Sequence, residues 1–303
     1  MSLRFLPNAV VSSHAQLPSN LTPDQLRDHF TLTARDLSLI SERRRAHNKL
    51  GFSVQLCTLR FLGTFAQDLL ETPPQVLGFL AGQLGMRTPR DLKPYVKRDM
   101  TVNKHQHLIR EALGYTLFDD FQAFSLTRWI YRTLLMGDER PLTVFEQAQL
   151  RLSSRKVMLP GPSTLGRIIV QVRQRVSQLS YQVLAGRLNP THKEALENLL
   201  LVPEGERLSH LDTLRKAPVR ASTPSLLSAL ERLGTLRKLG LHAVDTTDQP
   251  PGRIKAMQRQ GMTAWIQTLT RWGETRRHAT LLVTVSITSS DAHSPTSWTC
   301  SSG

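Results

Sequence analysis

Residues 30–65 read FTLTARDLSLISERRRAHNKLGFSVQLCTLRFLGTF, and the order of side chains in this stretch decides the fold class. Thr33 followed by Asp36 is a helix-opening signal, because a threonine hydroxyl and an acid three residues on satisfy the free N–H groups of a first turn. A helix is therefore predicted from Ala34 to about Arg44. A second runs from about His47 to Phe61, with Leu50, Val54, Cys57 and Leu59 or Phe61 on its buried side. Just upstream, Thr22, Pro23 and Asp24 supply a cap, a first-turn proline and a first-turn acid for a short helix through His29. Three short helices with basic residues at a joint match the packing scale of a helix-turn-helix unit.

The same spacing continues in the rest of the chain, and nowhere does apolar and polar alternation persist between hairpin turns. The predicted class is all-α: two or three small helical domains in tandem, followed by a disordered carboxy-terminal tail. Thr72, Pro73 and Pro74 open a helix that ends before Gly85, and Pro89 to Val96 gives a short one. Asp99 to Leu113 is a further helix, stopped by Gly114. Phe118 to Met136 is amphipathic, and its Phe121, Phe124, Leu126, Trp129, Ile130 and Leu134 are assigned to the core. Later helices are placed at Pro141 to Leu152, Ser163 to Leu188, Pro190 to Leu201 and Ser222 to Leu239, with one helical piece over 253–283. From Ser286 to Gly303 ten of eighteen residues are Ser or Thr and periodicity ends, which predicts disorder. The division that results is 1–137, 138–245, 246–285 and the tail 286–303.

Composition narrows the function. The chain has 303 residues, 40% hydrophobic and 21% charged, which excludes fibres and fully disordered chains. Two cysteines, Cys57 and Cys300, cannot build a disulfide framework or a four-cysteine zinc site, so the chain reads as intracellular and reduced, with cytoplasm or nucleoid as the expected address. No apolar run is long enough to span a membrane. A net charge of +15 calls for a polyanionic partner, and nucleic acid explains such an excess most simply, since each Lys or Arg on a phosphate releases counterions.

The charge is unevenly spread. Between Glu146 and Glu194 there is no acidic residue, while Arg151, Arg155, Lys156, Arg167, Arg173, Arg175, Arg187 and Lys193 fall inside. On the helix after Pro162, the series Leu165, Ile168, Ile169, Val172, Val176 and Leu179 forms a core stripe, and Arg167, Gln171, Gln174, Gln178 and Gln182 line the other side. Arg and Gln can make bidentate hydrogen bonds to guanine and adenine edges, so Arg167, Gln171 and Gln174 are the candidates for base reading. A solvated polar face would have the same composition. Candidates for phosphate contact are Arg43, Arg44, Arg45 and Lys49 at the helix joint, Arg155 and Lys156, and Lys216 and Arg220 around Pro218.

Enzyme motifs are missing. Ser153 and Lys156 satisfy a two-residue pattern without its companion motifs. His105 and His107 stand about 200° apart on a helix and cannot share a metal. There is no phosphate-binding glycine loop, and Asp119 and Asp120 lack a third carboxylate. No cofactor and no catalytic residue is assigned.

Residues 30–65 resemble the amino-terminal region of Tn-three family transposases. Further blocks agree in order: RFLP at the start, PPQVLGFLAGQLGM, VMLPGPSTLGRII at 157–169, LSHLDTLRKAPVRASTPSLLSALERLGTLRKLGL at 208–241 and RRHATLLVTV at 276–285. The resemblance covers nearly everything from residue 3 to 285. It implies replicative transposition, with this region binding the terminal inverted repeats. Family members carry, further along, a ribonuclease-H-like domain in which three carboxylates hold magnesium. After Val285 the sequence departs from the family, which reads as a truncated or frameshifted transposase without catalysis. The alternatives are a protein-interaction fragment that interferes with a complete transposase and a nonfunctional relic.

Overall fold

A computed structural model describes residues 5–88, 91–137, 139–215 and 223–291. Among them the chain is all-α. Its helices are α1 (Asn8–Ser12), α2 (Pro23–Phe30), α3 (Ala34–Ser41), α4 (Ala46–Leu62), α5 (Pro74–Gln83), α6 (Lys93–Val96), α7 (Asp99–Leu113), α8 (Asp120–Met136), α9 (Pro141–Ser154), α10 (Pro162–Gly186), α11 (Pro190–Asn198), α12 (His210–Arg215), α13 (Thr223–Lys238), α14 (Pro251–Thr263), α15 (Ile266–Arg271) and α16 (Glu274–Asp291). The sole extended pairing among the described residues is an isolated parallel bridge between Thr116 and Val157. Two compact units form, one of Met1–Ile130 with Arg140–Gln171, the other of Tyr131–Glu139 with Val172–Gly303.

The first unit is built around α4. Capping boxes start α2 and α3: Thr22 Oγ1 accepts from Gln25 N at 3.2 Å, and Thr33 Oγ1 accepts from Asp36 N at 3.2 Å. Asp36 also takes an ion pair from Arg60 at 2.8 Å, which ties α3 to the end of α4. Burial by itself would raise the Asp36 carboxyl; Arg60 and the Thr33 hydrogen bonds outweigh it and hold the group below the usual range. Helix α4 packs against α2, α3, α5, α6 and α7, and every residue from Leu50 to Leu59 is buried. The expected one-sided stripe is thus corrected to a helix enclosed all round. Two of its polar residues are bonded inside the core: Ser53 Oγ donates to Lys49 O at 2.8 Å, and Gln55 Nε2 donates to the Tyr95 hydroxyl on α6. Burial pushes the Cys57 thiol up to about 12, which keeps it protonated and unreactive.

Gly51 is the point of closest approach. A Cβ there would lie within 2.6 Å of three ring atoms of Tyr95 on α6, far inside van der Waals contact. With glycine present, the ring stacks on His105 of α7, and its hydroxyl is hydrogen-bonded to His105 Nδ1 at 2.9 Å. Phe52 meets the same imidazole edge to face, with centroids 5.1 Å apart.

Later in the first unit, α9 ends in a tight reversal. Lys156 takes the left-handed conformation at φ 53°, and Val157 N bonds back to Leu152 O at 2.9 Å, a helix stop that glycine usually makes. The strand-like segment that follows is pinned by Thr116 N to Lys156 O and by Leu159 N to Gly63 O.

In the second unit, α14 packs along α16, and Gly261 permits it because a Cβ there would coincide with the Thr284 hydroxyl. Arg253 is buried, donates to Ser180 Oγ at 2.9 Å and to Leu134 O, and so closes the carboxy-terminal end of α8. Glu197 receives Arg277 at 2.7 Å and His278 at 2.6 Å, which joins α11 to α16.

Several expectations are corrected. Phe121 and Phe124 are 72% and 65% exposed, whereas Leu126, Ile130 and Leu134 are buried. The i, i+4 stripe of aliphatics fills the core, and the two phenylalanines fall on the opposite side of α8. Leu179 is likewise exposed. The helical piece over 253–283 is three helices, and α12 stands where a loop is expected. Helix α16 runs on through Ser286 to Asp291 instead of ending at Val285. Once 279–285 are buried in helix, each added residue gains a hydrogen bond without a new nucleation cost, and Ser286 Oγ bonds Leu241 O at 3.0 Å. Residues 292–303 of the expected tail lie outside the described residues.

Replacing Gly51 with Ala should cost about 1–3 kcal/mol of unfolding free energy, read by urea denaturation, because the ring of Tyr95 has nowhere to move. A neutral substitution would contradict the close approach. The second expectation concerns pH. Burial first, then Arg43 and Lys104, lower the His105 pKa from 6.5 to about 4. Below pH 6.5 the unfolded chain gains a proton that the folded chain refuses until about pH 4. Stability present above pH 6.5 should therefore fall as pH drops towards 4, and His105→Gln should flatten that part of the stability profile.

Candidate nucleic-acid interface

The joint between α3 and α4 gathers the first set of cations. Helix α3 stops at Ser41, and α4 starts at Ala46 without a side-chain cap on its first turn. Arg45 sits between them at φ 69° and ψ 140°, a conformation that glycine occupies freely and other residues hold only under strain. Arg44 and Arg45 are exposed and have no carboxylate partner among the described residues; Lys49 is half-buried. Arg43 is different. Its side chain is only 14% exposed, pairs with Glu42 at 2.6 Å and lies over the Phe52 ring at 5.2 Å. It therefore shapes the joint as much as it charges it. His47 is held below the usual range by burial and then by Arg45 and Arg98, which places those two guanidinium groups in one positive neighbourhood.

The second set lies at the turn after α9. Arg155 is exposed and unpaired among the described residues. Lys156 is also exposed, but its Nζ donates to Leu113 O at 3.1 Å and so helps to close α7. Arg151 stacks on Trp129 at 5.2 Å, and burial followed by the charge of Arg155 lowers its pKa. In the same unit Arg167 and Gln171 are exposed on α10. Leu165 and Ile169 are buried on the opposite side of that helix. Gln174 is exposed in the second unit, where Arg173 donates to Glu139 O. Of the remaining basic residues of the acid-free stretch there, Arg187 pairs with Asp248 at 2.7 Å and Lys193 with Glu274 at 3.8 Å, while Arg175 is exposed on α10. Lys216 and Arg220 lie outside the described residues.

Arg43, Arg44, Arg45 and Lys49 thus come together, as do Arg155 and Lys156. Sequence reading missed Arg98 and Lys104, both exposed, on the approach to α7 and within it. A signal for them was present: Lys97 and Arg98 stand at the amino-terminal end of a helix, where the macrodipole disfavours cations. Among the described residues no group of three His, Cys, Asp or Glu could hold a metal ion, and no helix is long and apolar enough to cross a membrane.

Comparison with known proteins supplies the relationship. The family described as Domain of unknown function (DUF4158) matches residues 5–172. The transposase for transposon gamma-delta of Escherichia coli (strain K12) is 38% identical over 258 residues, which are 85% of this chain and 26% of that protein. The transposase for transposon Tn501 of Pseudomonas aeruginosa is 30% identical over 266 residues, again 26% of its length. The transposase for transposon Tn4556 of Streptomyces fradiae is 45% identical over a shorter stretch of 83 residues. The chain spans about a quarter of the length of the curated relatives that it matches along most of its own sequence. With more than half of the chain matched by that family and this likeness to transposases, the chain belongs to the DUF4158 family, as the amino-terminal region of a Tn-three family transposase.

Proposed function

We propose that this chain is the part of a Tn-three type transposase that recognises the terminal inverted repeats of its transposon as double-stranded DNA, in the bacterial cytoplasm. The observation that carries this reading is the acid-free stretch between Glu146 and Glu194, in which Arg155 and Arg167 stand exposed without a carboxylate to neutralise them. Unpaired guanidinium groups at fixed positions on helical scaffolds are the chemistry that phosphates and guanine edges call for. In this reading Arg44, Arg45, Lys49 and Arg155 contact phosphates, and Arg43 and Lys156 add charge while holding the backbone that carries them. Arg167 and Gln171 read base edges, and Gln174 adds a contact from the second unit. Lys216 and Arg220 stay in the proposal as phosphate contacts. The assignment of DNA contacts to the segments 1–137 and 138–245, with 246–285 the start of a further helical segment, belongs to the same proposal. Strand cleavage is assigned to other parts of such transposases, with magnesium needed only there.

A second reading, docking onto a complete transposase, is favoured by one observation. Phe121 and Phe124 expose most of their surface a single turn apart on α8. Double replacement of these phenylalanines by Ser should then abolish co-purification with a full-length transposase while leaving DNA binding unchanged.

Mobility shifts on a terminal repeat and on a scrambled duplex, at two salt concentrations, separate the contact classes. Arg155→Ala should weaken binding to both duplexes alike and lower the salt slope by about one. Replacing Arg167 or Gln171 with Ala should cost about 1–3 kcal/mol on the terminal repeat and much less on the scrambled duplex. Equal losses on both would show that this helix only tracks phosphates. For Arg45→Gly the expected outcome is mixed: unfolding free energy rises by on the order of 1 kcal/mol as strain is relieved, while affinity for both duplexes falls. A loss of stability would contradict the strained joint.

A further inference from the structure

An open groove of about 390 Å³ in the first unit is lined by Glu42, Arg43 and Arg44 from the α3–α4 joint and by Met100, Thr101, Lys104 and His105 from α7. Its charge is strongly one-sided. Three cations face one carboxylate, Glu42, and that carboxylate is already engaged by Arg43 at 2.6 Å. Arg44 and Lys104 are exposed and carry no ion pair among the described residues, and Arg43 Nε is buried with no hydrogen-bond partner there. The first turn of α7 reaches the groove through Met100 and Thr101; no side chain caps that turn, and although Thr101 N and Val102 N bond Arg98 O, the amides of Asp99 and Met100 have no partner among the described residues. Asp99, exposed at the first position of α7, is the other carboxylate nearby in sequence and does not line the groove.

We propose that this groove is a seat for one backbone phosphate of duplex DNA, with Lys104, Thr101 and the first-turn amides of α7 closing on it opposite Arg43 and Arg44. This rests on the DNA-binding reading above and deepens it by naming a contact on α7. The rigid side is Arg43, fixed by Glu42 and by the ring of Phe52, and the mobile side is Lys104. A tetrahedral oxyanion suits such a seat: it accepts hydrogen bonds from several directions, and a fixed guanidinium fork with a flexible ammonium supplies them. His105 forms part of the groove wall, and burial followed by the charges of Arg43 and Lys104 lowers its pKa, so the bound phosphate would meet its charge partners in Arg43, Arg44 and Lys104.

The test uses the full chain with two duplexes, a terminal repeat and a scrambled sequence of equal length, and with inorganic pyrophosphate. Lys104→Ala should bind both duplexes about threefold to tenfold more weakly near 0.1 M salt, lower the salt slope by about one, and be rescued by Lys104→Arg. Lys255→Ala, an equal charge change at an exposed site of the second unit, should change affinity by less than about twofold. In the wild-type chain either duplex should shift the nuclear magnetic resonance signals of Met100, Thr101 and His105. Lys104→Ala behaving like Lys255→Ala, or unshifted groove signals, would overturn the seat. So would pyrophosphate that saturates the groove without being displaced by duplex, which would mark a site for free phosphate. If the wild-type chain binds both duplexes equally, end recognition fails while the Lys104 comparison still decides the groove. A chain that binds neither duplex overturns both.

Discussion

The first unit depends on a missing side chain. Because residue 51 is glycine, the ring of Tyr95 lies directly against the backbone of α4, a distance no other residue would allow. That contact brings the Tyr95 hydroxyl between Gln55 and His105 and so fixes α7 relative to α4. Lys104 then follows as the neighbour of a buried histidine, facing outward beside Arg43 and Arg44. A network of one amide, one phenol and one imidazole, each buried and bonded, is costly to disturb in a low-dielectric core. The basic groove is the outward side of that network, which is why its geometry is set by packing and not by the flexible side chains that line it.

Strain and charge converge at the same joint. Arg45 holds a backbone conformation suited to glycine, directly between two helices and beside two other arginines. Such strain persists only where surrounding contacts enforce it, here the Asp36 to Arg60 ion pair and the enclosure of α4. In the second unit cations are used differently. Arg253 closes the end of α8, Arg215 bonds Asp212 and the carbonyl of Ala264, and Arg277 bonds Glu197. These guanidinium groups are construction elements. The exposed cations without partners that the proposal relies on most, Arg44, Arg45 and Arg155, all belong to the first unit.

Local signals were legible in the sequence. Thr22 with Pro23 and Asp24, and Thr33 with Asp36, open α2 and α3 as predicted, and Gly114 ends α7 at φ 72°. Features set by distant contacts were not. Ser53, Gln55 and Thr58 made α4 look one-sided, although their hydroxyl and amide groups are buried with the rest. Phe121 and Phe124 read as core by residue type, yet helical phase put the aliphatic stripe inside and left them out. Helix α12 was legible but overlooked, since Ser209 and Asp212 form a reciprocal cap at 3.0 and 2.9 Å. For the candidate site, clustering of Arg43 to Lys49 follows from adjacency alone. Arg43 meets near neighbours, Glu42 and Phe52, but the bond of Lys156 to Leu113, 43 positions away, and the approach of Lys104 from α7 arise from packing that no short pattern records.

The central claim is that the α3–α4 joint, the start of α7 and the turn after α9 engage DNA while the second unit's bonded arginines serve packing. Hydrogen exchange of the full chain, with and without a terminal-repeat duplex, addresses all of these segments at once. The account predicts slowed exchange at residues 42–48, 98–104 and 155–171, and little change over 251–285. Protection confined to 251–285, or none in the first unit at saturating duplex, would contradict it.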